Sequence, residues 1–323
     1  MIKFTGERVS NRGGRRPGAG PKAGTGRFSE PTIPIRIPAS ALADVRVLLA
    51  AWERAEKQSG AVSCLVRDDK LRLPDVNGHV GLTRCCEATD LLKHLQAAGT
   101  RAKVVHLDPM YRSPKNDGRS GYLLEIKPLL RLACAIGDHV FVWGWPQHVA
   151  GLIESWPITH ELRTWITWHY TNVPSRIAGW RPSQQTCLHL SRPSENLKPE
   201  RFFTEEQRKF YVEGRLPYLP CPPDVIVHPN EHGALLRGKA PFPGRKPAKV
   251  VERLLTMVVS PGDLVVDPTV GSGTVAVVAA QLGCRAIVGD RSKAALVRTK
   301  KELKENHIPF AEPPRRKGAP TVP

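Results

Sequence analysis

The sequence predicts an α/β fold, a mostly parallel twisted sheet with helices on both faces. Three observations carry that expectation. From about residue 61 short apolar strands alternate with helical patterns, the signature of repeated βα units. One strand, Leu264–Val266, leads to Asp267, a glycine turn and an apolar helix. Another strand, Lys103–Leu107, ends in the tetrapeptide Asp108-Pro109-Met110-Tyr111. Parallel strands release their loops at one edge of the sheet, and ligand sites form there.

The 323 residues carry 48 Lys and Arg against 30 Asp and Glu, a formal net charge of +18. With 41% hydrophobic and 24% charged residues the chain is globular and long enough for a sizeable core. No stretch approaches the roughly 18 apolar residues of a membrane helix. The opening Met1-Ile2-Lys3-Phe4-Thr5-Gly6 lacks the apolar core of a secretion signal. The seven cysteines include no C-x-x-C pair, and Cys85 and Cys86 are adjacent. The expectation is a reducing compartment, with no disulfide frame and no zinc site. Residues 1–30 hold seven basic and two acidic residues, yet the rest of the chain is basic too. An excess of this size in a folded body points to a polyphosphate partner.

The elements follow in order. Residues 1–30 predict a disordered basic arm, because NRGGRRPGAGPKAGTG at 11–26 has no hydrophobic period. Around Arg15 and Arg16 it resembles AT-hook-like minor-groove arms; a plain flexible leader fits equally. Residues 31–60 predict an accessory strand–helix segment. Ile33, Ile35 and Ile37 alternate beside two prolines, as on an edge strand. Ser40 can cap a helix over Ala41–Lys57. This pair faintly resembles ribbon-helix-helix modules, but Gly60 arrives too soon for their second helix.

Residues 61–306 predict the main domain. After the first strand come a helix over Pro128–Ile136 opening on its proline, a strand over Val140–Trp143 and a helix over Gln147–Trp156. Arg163–His169 and Thr186–Leu190 read as two strands of a hairpin. Residues 192–244, rich in proline and charge, read as a loop-rich insert. Then come a helix (Pro247–Val259), a strand (Leu264–Val266), a helix (Gly273–Leu282), a strand (Arg285–Val288) and a helix (Ser292–Asn306). Residues 307–323 read as a flexible tail.

Two motifs carry chemistry. In Asp267-Pro268-Thr269-Val270-Gly271-Ser272-Gly273-Thr274 the glycines allow close backbone approach to a ligand. Asp290, ending the next strand, can accept hydrogen bonds from both hydroxyls of a ribose. A dinucleotide loop would read G-x-G-x-x-G, with Ala276 at its last position. That spacing is permitted, but it leaves Asp267-Pro268 unexplained. A phosphate loop would need Lys where Thr274 stands.

Asp108 and Pro109 suit another task. An exocyclic amine is a poor nucleophile, because its lone pair is delocalised into the base. The Asp108 carboxylate and the Pro109 carbonyl can each accept an N–H, which aims that lone pair at an electrophile. Tyr111 can stack on a base turned out of the duplex. His228 and His232 flank Pro229, which argues against a metal-binding helix. Trp143, Trp145, Trp165 and Trp168 read as core, with one of them beside a base pocket. Arg237, Lys239, Arg245, Lys246 and Lys249 form an acid-free basic run before the glycine loop, expected to contact phosphate, with Arg237, Lys239 and Arg245 as its nucleic-acid-binding residues.

Together these residues resemble the DNA amino-methyltransferases that modify adenine N6 or cytosine N4. The resemblance is to the circularly permuted order, in which the catalytic motif comes first. That family's D/S-P-P-Y/F/W motif is matched by Asp108 to Tyr111. Its D-P-F-x-G-S-G-T loop is matched by Asp267 to Thr274, preceded by Lys246-Pro247 and followed by Asp290. The resemblance covers roughly residues 62–306. It implies a Rossmann-like methyltransferase fold, S-adenosylmethionine as cofactor, double-stranded DNA as partner and a cytoplasmic, bacterial or phage-encoded enzyme; it leaves the oligomeric state open, a dimer being one option.

The resemblance assigns Asp108, Pro109, Met110 and Tyr111 to catalysis. It assigns Lys246, Pro247, Asp267, Pro268, Thr269, Gly271, Ser272, Gly273, Thr274 and Asp290 to the cofactor, and makes 192–244 a target-recognition insert. Asp in the first position favours adenine N6. Met110 departs from the second proline of the motif and Thr269 from its phenylalanine. DPMY also resembles the motif of guanine-N2 ribosomal RNA methylases, in which the cofactor motif comes first. An RNA enzyme and an inactive DNA-binding protein of the same fold are the rival readings.

Overall fold

A computed structural model describes residues 80–83, 85–109, 118–153, 155–172, 179–231 and 244–313. Contacts divide the chain between Lys57 and Gln58, and every described residue belongs to the second unit. The basic arm with Arg15 and Arg16, the 31–60 segment, Met110, Tyr111, His232, Arg237 and Lys239 lie outside the described residues.

The described chain opens with β1 (Val80–Leu82), α1 (Ala88–Ala97), β2 (Ala102–Leu107), α2 (Gly118–Ile136) and β3 (Gly137–Gly144). A single turn, α3 (Pro146–Val149), leads to the hairpin of β4 (Glu161–His169) and β5 (Gln184–Ser191). Next come α4 (Glu205–Val212), β6 (Val225–Val227), α5 (Ala248–Thr256) and β7 (Leu264–Asp267). The described chain closes with α6 (Thr274–Gln281), β8 (Arg285–Val288), α7 (Lys293–Glu305) and β9 (Phe310–Ala311).

Nine strands of the described residues form one sheet in the order β6-β4-β5-β3-β2-β7-β8-β1-β9. Only β5 runs against its neighbours, antiparallel to both β3 and β4. The central strands β2, β3, β7 and β8 are buried apolar runs, as a sheet covered on both faces requires. Strand β7 lies mid-sheet although it comes late in the chain. To one side stand β8, β1 and β9, and to the other stands β2. The strand order reverses between β7 and β2, and a crevice opens there at the carboxyl edge.

Helix α6 buries every residue from Thr274 to Ala279, which explains its unbroken apolar sequence. Helix α5 is one-sided, burying Val250, Val251, Leu254 and Leu255. Helix α7 starts where the Ser292 hydroxyl accepts the Ala295 N–H at 3.3 Å.

Four expectations are corrected. Helix α2 begins at Gly118, ten residues before Pro128, which sits inside it. An interior proline costs about 3 kcal/mol. Tyr122, Ile126, Leu129, Leu130 and Ala133 share one buried face, and about 1.5–3 kcal/mol for each large side chain offsets that cost. Leu124, whose carbonyl loses its partner to the proline, lies on the outer face. The helix expected over Gln147–Trp156 is instead α3 followed by a 3-10 turn at Ala150–Leu152. Gly151 weakens the α-helix there, and the tighter turn buries Leu152. The 192–244 insert is more ordered than a loop. It holds α4, closed by a Thr204–Gln207 capping box, and β6, which extends the sheet beside β4. Within the expected tail, Phe310–Ala311 pairs with β1, whose edge offers unpaired backbone groups. Three residues of β1 and two of β9 carry too little pattern to be read from sequence.

A histidine pair lies in the core on β3 and β5. His139 Nδ1 is 3.1 Å from His189 Nε2, and the His189 ring stacks on Phe141. Burial pushes both imidazoles down to about 3. Between pH 6.5 and about 3 the unfolded chain therefore binds protons that the folded chain refuses. Stability is full above pH 6.5 and falls with acid, by up to about 1.4 kcal/mol per pH unit for each histidine. Thermal melts from pH 7.5 to 4.5 should show this slope, and His189→Phe should flatten it.

Candidate active site

Three carboxylates meet at the carboxyl edge of the sheet. Asp267 is the last residue of β7, Asp108 follows β2 directly, and Asp290 stands two residues past β8. They line one cleft of about 470 Å³, the size of a small-molecule site. Pro109, Lys246, Pro268, Thr269, Gly271, Ser272 and Thr274 also line it. The crossover from β1 through α1 to β2 therefore brings the DPMY strand beside the glycine loop, 159 residues away in sequence.

The Asp267 carboxylate organises the floor of the cleft. Its Oδ1 accepts the Thr269 N–H at 2.9 Å and lies 3.2 Å from the Thr269 hydroxyl. Its Oδ2 lies 3.3 Å from His106 Nδ1. Trp143 Nε1 donates to His106 Nε2 at 2.9 Å, so the imidazole carries its proton on Nδ1, facing Asp267. The Asp108 N–H donates to Thr269 Oγ1 at 2.9 Å.

Lys246, which the sequence reading gave to the cofactor, lines the cleft with its ammonium turned to the other motif. Its ammonium donates to both oxygens of Asp108, at 2.7 and 2.6 Å. The side chain is 4% exposed, and Nζ lies 5.0 Å from the centroid of the Trp143 ring. Carboxylate and ring face together hold this buried cation. Pro247, expected beside the cofactor, forms the N-cap of α5 and does not line the cleft.

The glycine loop closes over Asp290. Gly271 N–H donates to Oδ2 at 3.0 Å and Ser292 N–H to Oδ1 at 2.8 Å. Burial raises the Asp290 carboxyl above the usual carboxylate range, while the two N–H groups oppose that rise. Gly271 and Gly273 both have positive φ, 53° and 89°. Gly273 caps α6, and a Cβ there would stand 3.0 Å from the Thr299 Cα, so the position needs glycine twice over. Ser272 and Thr274 hydroxyls meet at 3.1 Å.

Arg245 lines the cleft, but its guanidinium is matched by carboxylates. Nε lies 2.9 Å from Glu231, and Nη1 lies 2.8 Å from Glu302. The residue expected to contact phosphate is thus ion-paired in this structure, sharing Glu302 with Arg298. Sequence reasoning missed His106, Glu87, Tyr170, Gln185 and Asn230, all of which line the cleft, while Trp145 is one of the four tryptophans from which it expected a residue beside the base pocket. Trp168 lines it too, edge-on to Trp143 and 5.1 Å from the Tyr170 ring. These residues come from both halves of the sheet, with no shared motif. The one available signal was position, because Tyr170 directly follows β4 at the same carboxyl edge.

Sheet order and paired motifs define a Rossmann-like methyltransferase fold in permuted order. Residues 126–301 match the DNA methylase family of N6/N4 methyltransferases, and the chain belongs to that family. The match begins downstream of Asp108. The chain is similar to the type II methyltransferase M.HpaI of Haemophilus parainfluenzae, 26% identical over 140 residues, 43% of this chain and 44% of that one. It is 30% identical over 154 residues to the type II methyltransferase M1.MboII of Moraxella bovis, 38% of this chain and 54% of that one. The chain thus spans about half the length of the curated relatives it matches.

Two solved structures share the fold. M1.HpyAVI in complex with SAM aligns with a TM-score of 0.51 and 16% identity over 69% of this chain and 98% of that one. The cytosine-N4-specific PvuII DNA methyltransferase aligns at 0.50 and 15% identity over 71% and 91%.

Proposed function

We propose that the chain transfers a methyl group from S-adenosylmethionine to an exocyclic amino group of a base in double-stranded DNA, with adenine N6 as the target. One observation carries this reading. Asp108, the hydrogen-bond acceptor for the amine, shares a cleft with the glycine loop and Asp290. Family membership supports it, as does the formal charge of +18. The setting we infer is the bacterial cytoplasm; among the described residues no helix is long and apolar enough to cross a membrane.

The residues present fit the cofactor. Asp290 lines the cleft with each oxygen accepting one backbone N–H, which leaves acceptor capacity on both for ribose hydroxyls. Val270, Val275 and Ala295 supply apolar walls beside it. When bound, the cofactor supplies an electrophilic sulfonium methyl. The chain's own task is to prepare the nucleophile. Asp108, held by Lys246 and by its own N–H, accepts an amine N–H and directs the nitrogen lone pair into the cleft. Because the cofactor would give up its methyl and leave as a neutral thioether, the methylated amine must shed one proton, and the Asp108 carboxylate is placed to accept it. Trp145, Trp168 and Tyr170 give the cleft an aromatic wall suited to a base.

Labelled methyl transfer to DNA and RNA, followed by nucleoside analysis, tests the reading. N6-methyladenine in DNA is the expected product. N4-methylcytosine alone would overturn the adenine assignment, and N2-methylguanine in RNA would overturn the DNA assignment.

Asp290→Ala should weaken S-adenosylmethionine by about 1.5–3 kcal/mol, the scale of hydrogen bonds to a charged group. Ribose hydroxyls prefer the carboxylate, so affinity should be full at neutral pH. It should decline as pH falls through a value above the ordinary carboxylate range. Calorimetry across pH reads both effects, and an unchanged affinity in the variant would place the ribose elsewhere.

A further inference from the structure

Thr269 stands where the resembled loop motif has phenylalanine, and its hydroxyl does what a phenyl ring cannot. It lies between the two motifs with both hydrogen-bonding capacities engaged. The oxygen accepts the Asp108 N–H at 2.9 Å. The hydroxyl hydrogen is directed to Asp267 Oδ1 at 3.2 Å, and the Thr269 backbone N–H holds the same oxygen at 2.9 Å. Asp267 is in turn the last residue of the strand that carries the glycine loop. The path from that loop to the backbone of Asp108 thus crosses one side chain.

A second departure lies on the other side of this contact. Met110 replaces the second proline of the resembled catalytic motif. A proline ring locks its own φ and reduces the freedom of the residues before it. Methionine supplies no such restraint. The Thr269 hydroxyl supplies one from the loop after the neighbouring strand β7, acting directly on the Asp108 N–H.

We propose that Thr269 is a positioning residue. Its hydroxyl ties the backbone of Asp108 to the glycine loop, so that the amine acceptor is placed by the cofactor half of the site. The proposal rests on the amino-methyltransferase reading for its effect on rate, but the tether itself is a property of the chain. Thr269→Val keeps the shape and removes the hydroxyl. Thr269→Ser keeps the hydroxyl and removes a methyl group.

Three measurements test it on the full chain. In Thr269→Val, amide hydrogen exchange of the Asp108 N–H without cofactor should quicken at least about tenfold, the readout of a lost native hydrogen bond. Exchange in the interior of β2 should stay unchanged. Calorimetry should give an S-adenosylmethionine Kd within about threefold of wild type, while the single-turnover rate of methyl transfer to DNA falls at least about tenfold. Thr269→Ser should behave as wild type in all three.

Unchanged Asp108 exchange in the valine variant overturns the proposal. So does a loss of cofactor affinity as large as the loss of rate, which would make Thr269 a structural part of the loop alone. A serine variant that behaves like the valine variant overturns it as well. If wild-type protein transfers no methyl group to DNA, the functional reading falls, and the exchange measurement still decides the tether.

Discussion

Asp108→Ala is expected to lower methyl transfer by about 10²- to 10⁴-fold, the usual contribution of a positioned acid–base group. S-adenosylmethionine affinity should stay near wild type, because Asp290 and the glycine loop are untouched. The variant should also lose stability, for a reason visible only in three dimensions. Lys246 is 4% exposed and donates to both Asp108 oxygens, so deleting the carboxylate removes two charge-assisted hydrogen bonds from a buried ammonium. Breaking such a pair costs about 3 kcal/mol. Adding Lys246→Met to Asp108→Ala should therefore recover stability without recovering activity. Thermal melts and single-turnover transfer separate the two effects. Near-normal turnover in Asp108→Ala would remove Asp108 from the role of amine acceptor.

Lys246→Met is the second large effect, and it decides between two assignments of one residue. The sequence reading gives Lys246 to the cofactor; the structure sets its ammonium on Asp108 and over the Trp143 ring. Methionine keeps the length and apolar packing of the stem but removes the charge. The Asp108 carboxylate then loses the two hydrogen bonds that fix its orientation. Methyl transfer should fall by about two orders of magnitude, as misplacement of a reacting group does. Folding should weaken by about 2–5 kcal/mol, the scale of a truncated buried charge pair. S-adenosylmethionine should bind the variant almost normally. A cofactor affinity that drops in step with the rate would return Lys246 to the cofactor.

Much of this molecule is legible in one dimension. Strands β2, β7 and β8 and helices α5, α6 and α7 stand within a few residues of their expected limits. Each is a continuous apolar or one-sided segment bounded by a local signal such as Gly273, Ser292 or Asp108. Pattern fails where stability is not local. Pro128 reads as a helix start, yet α2 passes through it, because the buried face from Tyr122 to Ala133 outweighs one lost hydrogen bond. Strands β1, β6 and β9, of two or three residues each, exist only because a neighbouring strand offers its backbone.

The site divides the same way. By itself the sequence determined which residue types meet: an Asp-Pro pair after one strand, a glycine loop after another and an acid after a third. Motif chemistry is local, because within each motif the residues are adjacent in the chain and directly follow a strand. Tertiary structure decided their partners. It set Lys246 on Asp108, Thr269 between Asp108 and Asp267, His106 between Trp143 and Asp267, and Arg245 on two glutamates. Such contacts join residues on different strands and loops, some more than a hundred positions apart. Their partners depend on the order in which the strands lie in the sheet, and folding alone establishes that order.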